Sequence, residues 1–451
     1  MVSQLAKKSN EDGVAFRTFQ EQLNGGSALW LKRLRERALD RFEQSGFPTV
    51  DEEEWKYTNV APIAKVCFEP ALPRPEDALI DARQLESFTY PEAERSRLVF
   101  VNGVYQPQLS QLDALPQRVV AMNMADALRD NRYAEVVREQ VSPGGAGDTE
   151  NAFTALNTAF LANGALLMIP QGMRVEAPIH LLFLSAPEPS PAVSFPRVVI
   201  VAEQGSEATI IESYAGLRDG LYWTNAVVDV LLKENARLEL YKVQDESAEA
   251  FHVARTRAVL NRSSSLNATT ITLGAQLARH DIHVAFEEEG AECWVDGLYI
   301  VGEGQHADTH SVIDHRTPHC TSHQLYKGIL DGRSRAVFNG KVFVREGAQQ
   351  TDAMQTNKNL LLSNEARVDT KPQLEIFADD VKCAHGATVG QLEEEQLFYL
   401  ASRGLHTDVA RNLLTYGFAE EVIDKIKIGS IKEQLDEAVL NRLHASREIE
   451  G

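Results

Sequence analysis

The chain has 451 residues, 43% apolar and 24% charged, the make-up of a globular protein with room for two or three cores. A net charge of −20 opposes general binding to nucleic acid or anionic lipid, because phosphate contacts need a cationic footprint. No apolar run approaches the length that spans a bilayer and no basic-then-apolar leader opens the chain, so a cytoplasmic protein with reduced cysteines and no membrane partner is expected.

Residues 1–150 read as a mostly helical region. Leu31, Leu34, Ala38 and Phe42 fall at helical steps, with Gly46 and Pro48 as the stop. The segment D-E-E-E-W-K-Y-T follows at Asp51–Thr58, then a Pro-bearing stretch through Arg74. Leu98–Val104 alternates like a strand, and Met122–Arg138 returns to helical spacing. The run S-P-G-G-A-G at Ser142–Gly147 reads as a joint.

Across residues 151–389 short β-branched and apolar runs alternate with polar turns. Gly205, Asn235, Ser264 and Gly290 mark turns at steps of roughly 30, 29 and 26 residues, and Gly304, Gly332, Gly347 and Asn364 continue the punctuation. Hairpin dipeptides are scarce, Asn102-Gly103 and Asn339-Gly340 being the clear cases. Repeated strand–turn units of this kind predict a mainly β protein built on a parallel β-helix core, with a β-sandwich as the alternative. Residues 390–451 form a helical domain: Glu393–Ser402 with Leu397, Phe398 and Leu400 as its apolar set, then Val409–Tyr416 with Thr407 as N-cap and Gly417 as its end. A last helix carries Ile431, Leu435, Val439 and Leu443 at steps of four.

The chemistry concentrates at Cys383 and His385. On a strand, side chains two apart share a face, so this thiol and imidazole would present one soft and one borderline metal ligand together. Two ligands do not close a site. Cys67, Cys293, Cys320 and Cys383 lie far apart in sequence and form no C-x-x-C pair, so the remaining ligands must come from elsewhere. The competing reading is a small buried cysteine and a turn histidine.

A second concentration is His306, His310, His315, His319 and His323, interleaved with Asp308, Asp314 and Cys320. It reads either as a metal-binding group or, more simply, as a polar strand face with hydrogen-bonded turns. No serine-hydrolase elbow, phosphate loop, H-E-x-x-H or kinase signature occurs, which argues against catalysis. The acidic pairs Asp379-Asp380 and Glu287–Glu289 read as solvated edges rather than a glycosidase pair.

Asp369–Gly390 reads D-T-K-P-Q-L-E-I-F-A-D-D-V-K-C-A-H-G-A-T-V-G, followed by Leu397-Phe398-Tyr399-Leu400 and Ser402-Arg403-Gly404. With E-E-W-K-Y-T at Glu53–Thr58, these blocks closely resemble the SufB/SufD family of iron–sulfur cluster assembly proteins, over essentially the whole chain. Ala384 departs from the pattern, where Ser is expected between the Cys and the His, a change conservative in size. The resemblance implies a right-handed parallel β-helix between helical parts, in a non-enzymatic scaffold subunit of the SufB–SufC–SufD complex. It implies β-helix pairing with SufB, with a homodimer as the assembly of the isolated chain. It places the ATPase SufC on the C-terminal helices, at Leu397, Phe398, Tyr399, Leu400, Arg403 and Gly404. It also implies cluster formation at the SufB interface, with a SufB cysteine and His385 as ligands and Cys383 as the neighbouring family cysteine. No tightly bound cofactor is expected of the isolated chain, the metal being a transient iron–sulfur cluster or iron in the complex. A flavin associated with that complex would find no dinucleotide-binding fingerprint in this sequence.

Overall fold

Alternating side chains leave each strand one apolar face to bury, and a chain that turns every ten residues buries it by coiling on itself. The computed structural model describes residues 27–71, 80, 82–141, 151–187 and 190–445. Among these, sixteen strands build a parallel solenoid of eight coils. The odd strands stack in one sheet: β1 (Gly164–Ile169), β3 (Arg197–Ala202), β5 (Tyr222–Leu232), β7 (Phe251–Leu260), β9 (Leu277–Phe286), β11 (His306–His315), β13 (Arg335–Val344) and β15 (Arg367–Ile376). The even strands stack in the other: β2 (Ile179–Ser185), β4 (Glu207–Gly216), β6 (Arg237–Asp245), β8 (Ser265–Thr272), β10 (Glu292–Val301), β12 (Thr321–Leu330), β14 (Thr351–Leu361) and β16 (Val381–Gly390). The expected parallel β-helix is therefore the core of the protein.

Register keeps like on like. Ile200, Val230, Ala258, Val284, Ile313 and Val342 form one inward column across six coils, and all are buried. Each large aliphatic side chain so placed stabilises the fold by about 1.5–3 kcal/mol. The turns from odd to even strands carry a left-handed residue at Gly205, Asn235, Ser263, Gly290, His319 and Gln350. The sequence marker at Ser264 is thus one residue late, since Ser263 takes the positive φ and Ser264 is the buried residue after it. Gly304 and Gly332 mark the opposite corner, whereas Gly347 and Asn364 have ordinary φ values.

The N-terminal region closes the first coil with two strands and packs its helices on the outer face of the odd-numbered sheet. Helix α1 (Leu29–Ser45) buries Leu31, Ala38 and Phe42 and stops at Gly46, whose φ of 65° and N–H bond to the Phe42 carbonyl end it as expected. It packs on α2 (Ala152–Ala159) around an aromatic cluster of Phe42, Phe47, Trp55, Phe153 and Trp223. Arg97–Val101 lies parallel on β2 and folds back at Asn102-Gly103 into a short hairpin, so the predicted strand to Val104 is two strands around a turn. Met122 belongs to a strand, Val120–Asn123; the helix starts at Met124, where the Asn123 side chain accepts the Asp126 N–H. The Ser142–Gly147 joint lies outside the described residues.

After β16 the chain leaves the solenoid in α3 (Glu394–Ser402), α4 (Thr407–Ile423) and α5 (Gly429–Ala445). Gly417 does not end α4: the helix runs on to Ile423, because Ala419, Val422 and Ile423 bury against the even-numbered sheet. Thr407 is the first helical residue rather than the cap, a position taken by His406. Ile431, Leu435 and Val439 bury as the steps of four require, and Leu443 lies outside the described side chains. No described helix is long and apolar enough to cross a membrane.

Candidate functional site

Both sheets end at the same place. Among the described residues β15 and β16 each pair along one edge only, leaving the last coil open. An exposed edge offers unpaired N–H and C=O groups to another chain, and here it is flanked by exposed apolar side chains, Met354, Ile376, Phe377 (60% exposed) and Val389.

Cys383 and His385 lie on this last strand, in register with Ala353 and Gln355 of β14. They share the inward face, as the period of two requires, but their surroundings differ. Cys383 is half-buried against the lumen core, and burial, with Asp352 nearby, pushes its thiol up from its usual range. His385 is exposed because no ninth coil covers it. Among the described residues no three His, Cys, Asp or Glu side chains are grouped to hold a metal ion. Cys293 and Cys320 are buried, with burial pushing both thiols up, and Cys67 is exposed on the N-terminal part.

The five histidines of 306–323 go to different places. His306 and His310 project from the outer face of β11, where they fasten the E-E-W-K-Y-T segment. Thr58 Oγ1 donates to Asp308 Oδ2 at 2.6 Å and lies 3.0 Å from His306 Nε2, while His310 sits 3.3 Å from Glu54 and 3.1 Å from Asp308. The Arg279 guanidinium stacks 3.6 Å over Trp55, and Lys371 of the last coil pairs with Glu53. Burial opposes charge on His310, but the Asp308 carboxylate outweighs it and the ring is pushed up to about 9. His315 is buried in the lumen, stacked on Phe286 and 2.8 Å from Ser322 Oγ. His319 occupies a left-handed turn, and His323 stacks on Trp294 on the outer face of the even sheet.

A polar network inside the solenoid had no counterpart in the sequence reading. Lys242 Nζ lies 3.0 Å from His252 Nε2, His252 Nδ1 lies 2.7 Å from Glu246, and Glu246 accepts from Thr224 at 2.7 Å. Burial lowers Lys242 to about 8 against the pull of Glu212 and Glu246. The signal was present as Lys242 and Gln244 at inward alternate positions of L-E-L-Y-K-V-Q, where apolar residues were expected.

On the C-terminal helices, α3 has no buried residue. Leu397 and Leu400 are half-buried, but Phe398 is 76% exposed, which corrects its assignment to an apolar packing set: α3 has no sheet beneath it. Tyr399 is exposed, with the Arg403 guanidinium 5.2 Å from its ring, and Gly404 turns the chain at φ 93°. Val409 and Leu413 extend this apolar surface onto α4. The helical unit is held to the solenoid by Lys327, whose Nζ pairs with Glu421 at 2.5 Å and donates to the Phe418 carbonyl at 2.7 Å.

The described residues thus form an eight-coil parallel solenoid whose last coil leaves an edge open and whose helical appendage leaves apolar residues uncovered. The family described as "SUF system FeS cluster assembly, SufBD core domain" matches residues 183–418, and "SufBD protein N-terminal region" matches residues 10–181. The chain belongs to this SufBD family. It is 36% identical over 430 residues to an iron–sulfur cluster assembly SufBD family protein of Synechocystis sp., covering 93% of each chain. It is 32% identical to the iron–sulfur cluster assembly protein SufD of Escherichia coli, over 90% of this chain and 91% of that one. The protein of the same name from Bacillus subtilis is 28% identical over 96% of this chain and 98% of its own.

Proposed function

We propose that this chain is the SufD-type, non-enzymatic subunit of a cytoplasmic SufB–SufC–SufD complex, supporting de novo assembly and transfer of iron–sulfur clusters at its interface with SufB. The observation that carries this reading is His385: an exposed imidazole on a terminal strand with one edge open, where no group of three ligand-type side chains occurs among the described residues. SufB pairs with the open end of the solenoid and completes the ligand set, so the cluster is cargo held by two chains and released when they part. His385 is the ready donor. Cys383 is the neighbouring sulfur, which must lose its proton before it binds metal. The SufC ATPase docks on Leu397, Phe398, Tyr399, Leu400, Arg403 and Gly404, and its closure is transmitted through α4 and the Lys327–Glu421 pair to the sheet. No cofactor is held tightly by the chain alone.

Co-expression with SufB and SufC followed by anaerobic absorption spectroscopy tests this. His385→Ala lowers the cluster signal severalfold while both partners still co-purify. Undiminished cluster, or loss of the complex itself, would assign His385 a structural role instead.

A further inference from the structure

His385 ends an inward column of the even-numbered sheet. Leu240, Ala268, Val295, Gln324, Gln355 and His385 follow one another in register on β6, β8, β10, β12, β14 and β16. Adjacent coils lie about 4.8 Å apart, so each side chain reaches its neighbour. The column is apolar through Val295 and polar for its last three places, a change at the open end alone.

Gln324 and Gln355 are 5% and 1% exposed. Gln355 Nε2 donates to Gln324 Oε1 at 2.7 Å, toward the interior of the solenoid. The other arm of the planar amide, Gln355 Oε1, diverges from that bond and has no hydrogen-bond partner. A buried acceptor left so is costly. The facing sheet also makes room for this amide. A Cβ at Gly340 would overlap Gln355 Nε2, which explains why Asn339-Gly340 lies in the middle of β13 and not at a hairpin turn.

We propose that Gln355 is a positioning residue for His385: its Oε1 accepts the imidazole Nδ1–H, so that Nε2 presents its lone pair away from the solenoid, toward the cargo at the partner interface. Metal-binding histidines commonly donate their second N–H to a carbonyl or carboxylate, which fixes tautomer and ring orientation. In any histidine Nδ1 is the ring nitrogen nearer the main chain and Nε2 is the tip, and the register sets His385 directly beside Gln355. Gln324 holds the amide from below. The cargo part rests on the function proposed above; the Gln355–His385 bond does not.

The test is two-bond proton–nitrogen correlation spectroscopy on the full chain labelled with ¹⁵N-histidine, at about pH 8 where free imidazole is neutral. His385 in the wild type is expected as the Nδ1–H tautomer. Gln355→Leu should shift the tautomer ratio toward Nε2–H by about five-fold, the bias one ordinary hydrogen bond supports. The double variant Gln324→Leu/Gln355→Leu leaves no amide unpaired and should show the same shift with wild-type spectral dispersion. An Nε2–H tautomer in the wild type, or an unchanged ratio in the folded double variant, overturns the proposal. Should His385→Ala abolish cluster formation while the ratio is unmoved, only the role of Gln355 falls. Should the ratio shift while His385→Ala still builds clusters, the cargo reading falls.

Discussion

Cys383 and His385 are two residues apart on one face, yet their positions dictate different chemistry. A thiol packed half into a core and pushed toward its protonated form must lose that proton before it can bind metal, while the His385 imidazole stands exposed. Cys383→Ala therefore costs about 1 kcal/mol or less in a denaturant melt, from lost packing, and lowers cluster yield less than His385→Ala does. Equal losses in the two variants would make Cys383 a full ligand. His310 gives a second residue-level prediction. Its folded pKa is raised to about 9, so its contribution is complete below its unfolded value near 6.5 and fades as pH rises through 9. Lys242, lowered to about 8, titrates in the same window with the opposite sign, so the quantity to measure is the stability difference between wild type and His310→Gln, which should shrink by about 3 kcal/mol from pH 6 to 10. Asp308 is held well below the carboxylate range and stays ionised throughout, so it does not blur the window.

Elements differ in how openly the sequence declared them. The solenoid was legible because its turns recur at nearly fixed intervals: Gly205, Asn235 and Gly290 are left-handed residues at the same corner of successive coils. Helix ends were less legible, because tertiary burial of Ala419, Val422 and Ile423 carries α4 past Gly417, a stop that local propensity alone favours. Phe398 could not be told from a core residue by periodicity, since an apolar stripe reads the same whether it faces its own sheet or a partner. The Cys-x-His pair was visible at once, but Gln355 was not, being thirty positions earlier and next to His385 only through the coil register. Two predictions belong to these helices. Phe398→Glu should abolish SufC co-purification without changing the melting temperature, since the Phe398 ring is exposed. Lys327→Met should leave the Phe418 carbonyl without its donor and Glu421 with Lys358 alone, cost about 1–3 kcal/mol and raise hydrogen exchange in α4 while the solenoid strands keep their protection.

At the scale of the molecule the two ends of the solenoid are treated oppositely. The first coil is closed by the strands Arg97–Val101 and Val120–Asn123, which pair with β2 and β1, while among the described residues the last coil leaves one edge of each strand unpaired beside exposed Phe377 and Val389. A capped end stabilises one chain; an open end calls for another. Phe377→Asp together with Val389→Lys should leave the isolated chain folded, as judged by circular dichroism, and remove SufB from the purified complex. The exposed Glu53–Lys371 pair links the N-terminal region to this same last coil. In the proposed function His385 touches cargo whose other ligands belong to a second chain. This is tested most directly by reassembling the complex with ¹⁵N-histidine in this subunit alone, reducing the cluster and recording its pulsed electron paramagnetic resonance spectrum. A hyperfine coupling from a single ¹⁵N nucleus, lost in His385→Ala, is the result expected; a cluster that forms in full and shows no coupling to nitrogen of this subunit contradicts the account.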